Sequence, residues 1–127
     1  MKSAIASMIF TLSGLAANDV SIAPDRMLVV NGQRTFVLGL YENPSDDAVL
    51  DEVAKAGFNL IQSPANTAQL GRLHNRGVYA WINVGASIDL STDADSRKAA
   101  LKKLADENAE HPALVVWEVP DEALWNV

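Results

Sequence analysis

The chain of 127 residues contains no cysteine and only two histidines. The absence of cysteine excludes a disulfide bond, a thiolate zinc site and a thiol nucleophile, and two isolated histidines do not suggest a metal centre. We therefore expect neither a metal ion nor another cofactor. The ten Lys and Arg residues are scattered and the formal net charge is -6, so no basic stripe is present and nucleic acid is not an expected partner.

Signals for several enzyme classes are also missing. The sequence has no glycine-rich phosphate-binding loop, and Gly85 alone is too weak a signal for nucleotide binding. Ser63 and Ser87 do not stand in a Gly-x-Ser-x-Gly context, so nothing favours a serine hydrolase. The composition that remains, with 49% hydrophobic and 20% charged residues, is typical of one globular domain.

Residues 1–17 differ in character from the rest of the chain. Lys2 is followed by an apolar stretch and then by small residues before Asn18. This pattern predicts a secretory signal peptide and therefore a secreted or periplasmic protein. The apolar stretch is shorter than the roughly 20 residues that a membrane span needs, so we expect no stable membrane anchor. The alternative interpretation is an amphipathic or buried N-terminal helix.

Beyond residue 17 the sequence alternates between strand and helix signals. Asn31-Gly32 lies between two apolar runs and predicts a short β-hairpin over residues 27–36. Hydrophobic patterning, caps and terminating glycines then predict four strands at residues 36–41, 58–62, 78–84 and 113–119, and three helices that begin after Ser45, near Asn66 or Thr67, and near Asp93 or Asp95. Short connections between alternating strands and helices predict right-handed crossovers and a parallel sheet.

The expected faces of two of these elements can be stated. In the third helix the inner face is predicted to carry Ala100, Leu101, Leu104 and Ala105. In the last strand, alternation directs Glu118 towards the interior, where we expect it to find an Arg partner.

The last predicted strand leads directly into two adjacent carboxylates, Asp121 and Glu122. Ligands of α/β proteins gather at the carboxyl ends of parallel strands, so this is the first place to look for chemistry. Polar residues also follow the first three strands, and all are candidates for the same edge: Glu42, Asn43, Gln62, Ser63 and Asn83. The polarity of loops explains these residues equally well.

Four segments of the chain resemble the opening half of the clan A glycoside hydrolases. They are residues 31–41, 56–59, 73–78, and 111–117 with Asp121-Glu122, and the resemblance covers residues 27–126 in order. Those enzymes are (β/α)8 barrels whose fourth strand commonly ends in Trp, three intervening residues and then Asn-Glu. Trp117 and Glu122 keep that spacing, whereas Asp121 replaces the usual Asn, which in the family contacts the sugar 2-hydroxyl.

The resemblance implies a secreted glycoside hydrolase that cleaves O-glycosidic bonds by retaining double displacement. Glu122 would be the general acid and base, and a second carboxyl group about 5 to 5.5 Å away would be the nucleophile. In the family that nucleophile is a Glu near the end of the seventh strand, which this sequence does not contain. Asp121, Trp125, Glu42 and Asn83 are then the residues expected to bind the carbohydrate substrate.

Chain length limits this expectation, because a (β/α)8 barrel typically needs about 250 residues. We therefore expect residues 18–127 to form the N-terminal half of such a barrel, with about four parallel strands, no activity on its own and an exposed sheet edge that favours self-association. Two alternatives stay open. One is a non-catalytic carbohydrate-binding or half-barrel assembly module, and the other is an unrelated α/β domain of flavodoxin-like topology with its carboxylates on the surface.

Overall fold

The structure of the chain, a computed structural model, describes residues 17–119. These residues form a mixed α/β fold with one antiparallel sheet of three strands and one parallel sheet of four. The elements follow one another as β1 Val20–Ile22, β2 Leu28–Val30, β3 Gln33–Thr35, β4 Gly39–Leu40, α1 Asp47–Lys55, β5 Leu60–Gln62, α2 Thr67–His74, β6 Tyr79–Asn83, a 3-10 turn Gly85–Ile88, α3 Ala94–Asn108 and β7 Leu114–Glu118. All of the predicted signal peptide except Ala17, together with Asp121, Glu122 and Trp125, lies outside the described residues.

The predicted hairpin is present, within a larger antiparallel sheet. Asn31 and Gly32 both have positive φ, at 51° and 75°, which is the geometry that a tight two-residue turn requires. β1 adds a third strand to the hairpin by pairing with β2. We did not predict β1, because three residues are too few to show the alternation by which a strand is recognised.

The parallel sheet has the strand order β4-β5-β6-β7, so neighbours in space are also neighbours in the sequence. This order contradicts the flavodoxin-like alternative, in which the first strand would lie between the second and the third. All three pairings are parallel, as the alternation of strands and helices predicted. Within the described residues, β4 and β7 are the two edge strands of this sheet.

The helices α1 and α2 begin where the sequence predicted, because side chains cap their first turns. Asp46 accepts a hydrogen bond from the backbone N–H of Ala48, and Asn66 accepts from two backbone N–H groups at the start of α2. Leu50 of α1 and Leu70 and Leu73 of α2 are fully buried. They join the residues of β5, β6 and β7 that face the helices in one hydrophobic core: Ile61, Ala80, Ile82 and Leu114.

The predicted inner face of α3 needs one correction. Ala100 is exposed, whereas Leu101, Leu104 and Ala105 are partly buried and Asn108 is buried. The buried row therefore continues through Asn108, whose side-chain amide donates to Leu104 O (2.8 Å) one turn earlier. A polar residue was not expected on this face, and the hydrogen bond to its own helix is the reason that Asn108 can be buried there.

The first parallel strand is much shorter than predicted, with Gly39–Leu40 in place of residues 36–41. The preceding backbone is held by the side chain of Asn59 in addition to backbone bonds, in which Leu38 O accepts from Asn59 N (3.1 Å) and Leu60 N (3.4 Å). Asn59 Oδ1 accepts from Leu38 N (2.9 Å), and Asn59 Nδ2 donates to Phe36 O (2.7 Å). These two bonds satisfy backbone groups that a ladder would otherwise pair.

The antiparallel sheet lies near the amino end of β7. Asn18, immediately before β1, donates its amide to Pro112 O (2.5 Å) and Leu114 O (3.3 Å), and Asn31 in the hairpin donates to Asn18 Oδ1 (2.8 Å). The hairpin is thus tied to the amino end of the parallel sheet, and the opposite, carboxyl end is left for a site.

Candidate functional site

One face of the parallel sheet carries no helix among the described residues, and aromatic and acidic side chains meet on it. Tyr41 follows β4, Trp81 is in the middle of β6, and Glu118 ends β7. Trp81 is paired in register with Gln62 and Val116, while the alternate residues Ala80 and Ile82 belong to the core on the helix side. Strand alternation therefore separates this open face from the core.

Tyr41, Trp81 and Glu118 contact one another, and we call them the open-face cluster. The indole Nε1 of Trp81 donates to Glu118 Oε2 (2.8 Å), and the Tyr41 hydroxyl donates to Glu118 Oε1 (3.4 Å). The Tyr41 and Trp81 rings meet edge to face with centroids 5.1 Å apart. Gly39 lies beside the indole ring, and a Cβ at this position would be in ordinary van der Waals contact with Trp81 Cζ3 (3.5 Å).

The structure corrects the expectation for the partner of Glu118. Its carboxylate does point to the side of the sheet away from the helices, but its oxygens accept from an indole and a phenol. No Arg is paired with it among the ion pairs of residues 17–119. Trp81 is only 6% exposed, whereas Tyr41 is 64% exposed.

Glu118→Ala is expected to lower the free energy of unfolding by about 1 to 3 kcal/mol, because the buried indole N–H of Trp81 loses its acceptor. Glu118→Gln keeps a carbonyl oxygen at the same place and should cost less than half as much. Urea unfolding of the two variants checks this. Equal losses for Ala and Gln would show that the hydrogen bond to Trp81 does not stabilise the fold.

Two cavities meet at Tyr41. A cavity of about 510 Å³ covers the open face along Gly39, Tyr41, Trp81 and Glu118. A second cavity of about 430 Å³ lies at the carboxyl end of the sheet, and we call it the carboxyl-end cavity. Its polar wall is formed by residues that follow or end β4, β5 and β6: Tyr41, Asn43, Gln62, Ser63 and Asn83.

The structure brings four of the five described candidate residues to this site, namely Asn43, Gln62, Ser63 and Asn83. Asn83 is exposed at the end of β6 and lines the carboxyl-end cavity. It is paired in register with Glu118, the last residue of β7. Glu42 is exposed in the loop after β4, but it is not among the residues that line the cavity. Its neighbour Asn43 takes that place.

The contact between Trp81 and Glu118 was not predicted from the sequence. The signal was present, because a tryptophan and a glutamate on adjacent strands of a parallel sheet can face each other when their register agrees. That register is irregular here, since β6 and β7 shift by one residue between Ala80 and Trp81. No pattern in the sequence announces such a shift.

The charged groups with altered pKa values lie away from the open-face cluster. The Arg72 guanidinium beside Asp47 lowers the pKa of that carboxyl below its ordinary value. A hydrogen bond from Arg34 does the same for the pKa of Asp25, and hydrogen bonds from Ser91 do so for the pKa of Asp89. Residues 17–119 contain no group of three or more His, Asp or Glu side chains placed to hold a metal ion.

His111, which precedes β7, is the described histidine with a shifted pKa. Burial lowers the pKa of His111 below its ordinary value of 6.5, and the charge of His74, whose ring centroid is 6.3 Å away, lowers it further. Its Nδ1 accepts a hydrogen bond from Ala113 N (3.1 Å), which fits a neutral imidazole.

Acidification from about pH 7.5 to about pH 5 is expected to lower the free energy of unfolding through His111, because below pH 6.5 the unfolded chain binds the proton more readily than the folded one. His111→Asn keeps an acceptor for Ala113 N and should flatten this dependence. Urea unfolding at both pH values measures it. Asp25, Asp47 and Asp89 do not interfere, since their lowered pKa values lie below 3.8. An equal pH dependence in the variant would exclude His111 as the cause.

The fold and the geometry of the site are not accompanied by a recognisable relative. The chain matches no protein-family model, and neither a curated protein nor a solved structure is significantly similar to it. Among residues 17–119, no helix is long and apolar enough to cross a membrane.

Proposed function

We propose that this chain is the N-terminal half of a secreted clan A glycoside hydrolase, a partial (β/α)8 barrel that acts on a carbohydrate. The observation that carries the proposal is the sheet itself. Its four parallel strands follow one another in chain order, with the core helices α1 and α2 against one face and with aromatic and acidic side chains on the other. A (β/α)8 barrel repeats the unit of one strand and one helix eight times, and its eight parallel strands close into a barrel with the helices outside.

The position of the hairpin supports the same proposal. It is tied to the amino end of β7, so it leaves the carboxyl ends of the strands open, and in barrel enzymes the active site is built at the carboxyl ends. Both cavities that include Tyr41 reach this region. The sugar substrate would bind there.

In the proposed reaction, Glu122 protonates the leaving glycosidic oxygen and later takes a proton from water. In the sequence, Glu122 comes four residues after Glu118, the last residue of β7. The backbone oxygen of Glu118 accepts a hydrogen bond from Val84 N (2.9 Å), which fixes this end of β7 beside the end of β6. The nucleophilic carboxylate would come from the second half of the barrel. The 127-residue chain alone is therefore proposed to be inactive, since one carboxyl group cannot perform double displacement.

The proposal is tested by expressing the complete reading frame that contains this chain and assaying it on a panel of neutral oligosaccharides. A retaining enzyme releases a product with the anomeric configuration of the substrate, which proton NMR shows before mutarotation. Export is tested separately, by comparing the measured mass of the secreted product with the mass expected after cleavage behind Ala17. Turnover by the purified 127-residue chain alone, if it is lost in Glu122→Gln, would contradict the half-barrel proposal. Inversion of the anomeric configuration would contradict the retaining mechanism.

A second candidate function is an assembly module in which two copies complete one barrel. The observation that favours it is the apolar surface at the two edge strands: Phe36 and Leu38 before β4 are 75% and 41% exposed, and Trp117 and Val119 at β7 are 37% and 61% exposed. β7 of one copy would pair in parallel with β4 of the next. A discrete dimer in light scattering supports this candidate, and a monomer excludes it.

A further inference from the structure

The carboxylate of Glu118 has hydrogen-bond donors beside it but no cation. Its oxygens accept from Trp81 Nε1 (2.8 Å) and from the Tyr41 hydroxyl (3.4 Å), and both donors are neutral. A carboxylate has about four acceptor positions, so these two bonds leave part of it unused. Within residues 17–119, no Lys, Arg or His forms an ion pair with Glu118.

The cavity of about 510 Å³ on the open face, which we call the open-face cavity, supplies no positive charge either. Of the described residues that line it, Glu118 alone is charged, and the others are aromatic residues, aliphatic residues and a glycine. Tyr41 is exposed and Glu118 is only partly buried, so a group that enters the cavity can reach both side chains. The open-face cavity therefore combines an unmatched carboxylate with an accessible aromatic ring.

Apolar side chains surround this carboxylate. Val37, Trp117 and Val119 line the same cavity and are exposed to solvent. A group of exposed apolar side chains of this kind is typical of a surface that another polypeptide covers. In the proposed barrel, the open face is the inner face of the sheet, and the second half of the barrel is the polypeptide that covers it.

Covering the open face removes water from Glu118. A carboxylate that leaves water is strongly destabilised unless a positive group pairs with it, and two neutral donors do not cancel its charge. The covering polypeptide must therefore bring a cation to the unused acceptor positions. Arginine fits best, because its planar fork matches a carboxylate and its flat face stacks on an aromatic ring such as that of Tyr41.

We propose that a strand of the second half of the barrel carries an inward-facing arginine, which lies against Tyr41 and pairs with Glu118 when the two halves meet. The assignment of this strand to the second half rests on the proposed function. The need for a cation follows from the charge of Glu118 and the apolar surface around it. Residues 1–16 and 120–127 contain no arginine, so the group does not come from those parts of the chain.

The test is a titration of the 15N-labelled 127-residue chain, followed through the indole N–H signal of Trp81, which is bonded to Glu118. The probe is the peptide acetyl-Val-Thr-Arg-Thr-Val-amide, which in extended form presents its arginine and both valines on one side. The control peptide has citrulline, which resembles arginine in shape but is neutral. With each peptide raised to about 10 mM, the arginine peptide should shift the signal in a saturable way and bind at least about tenfold more tightly than the citrulline peptide.

Substitution of Glu118 tests which group selects the arginine. Glu118→Gln keeps an acceptor for the Trp81 indole and removes the charge, so the preference for arginine over citrulline should disappear. The matched control is Glu110→Gln, which makes the same change at an exposed position before β7 and should keep the full preference. Tyr41→Phe retains the aromatic ring and should bind the arginine peptide more tightly than Tyr41→Leu does.

Three further outcomes would overturn the inference. They are no shift with either peptide, equal affinity for the arginine and citrulline peptides, and binding of methylguanidinium as tight as that of the arginine peptide, which would indicate a site for a small free cation. A Trp81 signal that moves when only the concentration of the chain is raised would assign the open face to a second copy, and would overturn the inference as well. These titrations of the unmodified chain decide the matter even if a variant does not fold.

Failure here is distinguishable from failure of the proposed function. Binding that prefers arginine, together with a complete product that hydrolyses no oligosaccharide, would keep the docking surface and remove the hydrolase. Turnover that depends on Glu122 without any preference for arginine would keep the hydrolase and remove the arginine. The translated sequence downstream of Val127 gives an independent check, since a second half without an arginine in any strand-like segment would also overturn the inference.

Discussion

Glu122→Gln in the product of the complete reading frame is expected to lower the rate of hydrolysis of an unactivated oligosaccharide by about 10²- to 10⁴-fold, the usual contribution of general acid–base catalysis. The amide cannot donate the proton that the leaving sugar oxygen requires. Because it has nearly the same size as the carboxyl group, the substitution removes the acid without adding or removing bulk. The measurement is kcat/KM across a range of pH. The alkaline limb of the profile should disappear in the variant, because it reports the ionisation of this acid.

The matched control for this experiment is Glu110→Gln, an exposed glutamate just before His111 and four residues before β7. It should leave kcat/KM unchanged. Asp121→Asn restores the residue that is usual in the family that the chain resembles, and activity should be kept. If Glu122→Gln retains most of the activity while Glu118→Gln abolishes it, the acid–base role belongs to Glu118 and the assignment to Glu122 is wrong.

Leu50→Ala is expected to lower the free energy of unfolding by about 2 to 5 kcal/mol, because it removes a fully buried side chain and leaves a cavity between α1 and the sheet. Domains of this kind are stabilised by only about 5 to 15 kcal/mol in total, so the variant should lose a large part of its stability. Urea unfolding followed by circular dichroism measures the loss.

Val49→Ala is the control for this substitution, since it shortens the preceding side chain of the same helix at a position that is 49% exposed. Its effect should stay within about 0.5 kcal/mol. A similar loss for Val49→Ala and Leu50→Ala would mean that the side chain of Leu50 is no more buried than that of Val49, and that α1 does not pack on the parallel sheet as described.

Local signals in the sequence predicted most of the elements. Asn31-Gly32 marks its turn because two consecutive residues adopt positive φ, and Asp46 and Asn66 mark helix starts because their side chains satisfy free backbone N–H groups. These effects depend on residues within a few positions of one another. The predictions failed where a residue distant in the sequence determines the local conformation. The strand β4 is shorter than predicted, and the side chain of Asn59 binds the backbone that precedes it.

The candidate site was predictable only in outline. Asn83 was expected at the carboxyl edge because every parallel strand ends there, and it does line the cavity. Glu42 was preferred to Asn43 without a physical reason, and the structure selects Asn43 through Arg72, a residue 29 positions away in the chain. A long-range contact of this kind leaves no periodic trace in the sequence.

The amino-acid sequence by itself determined the alternation of strands and helices, the hairpin turn and the absence of thiol chemistry, because propensity, capping and composition are local properties. Only the tertiary structure decided the order β4-β5-β6-β7, the pairing of Trp81 with Glu118 across an irregular register, and the direction of the Asn43 amide. The physical reason is that register and side-chain partners depend on which strands become neighbours, and that choice is made by burial of the whole core.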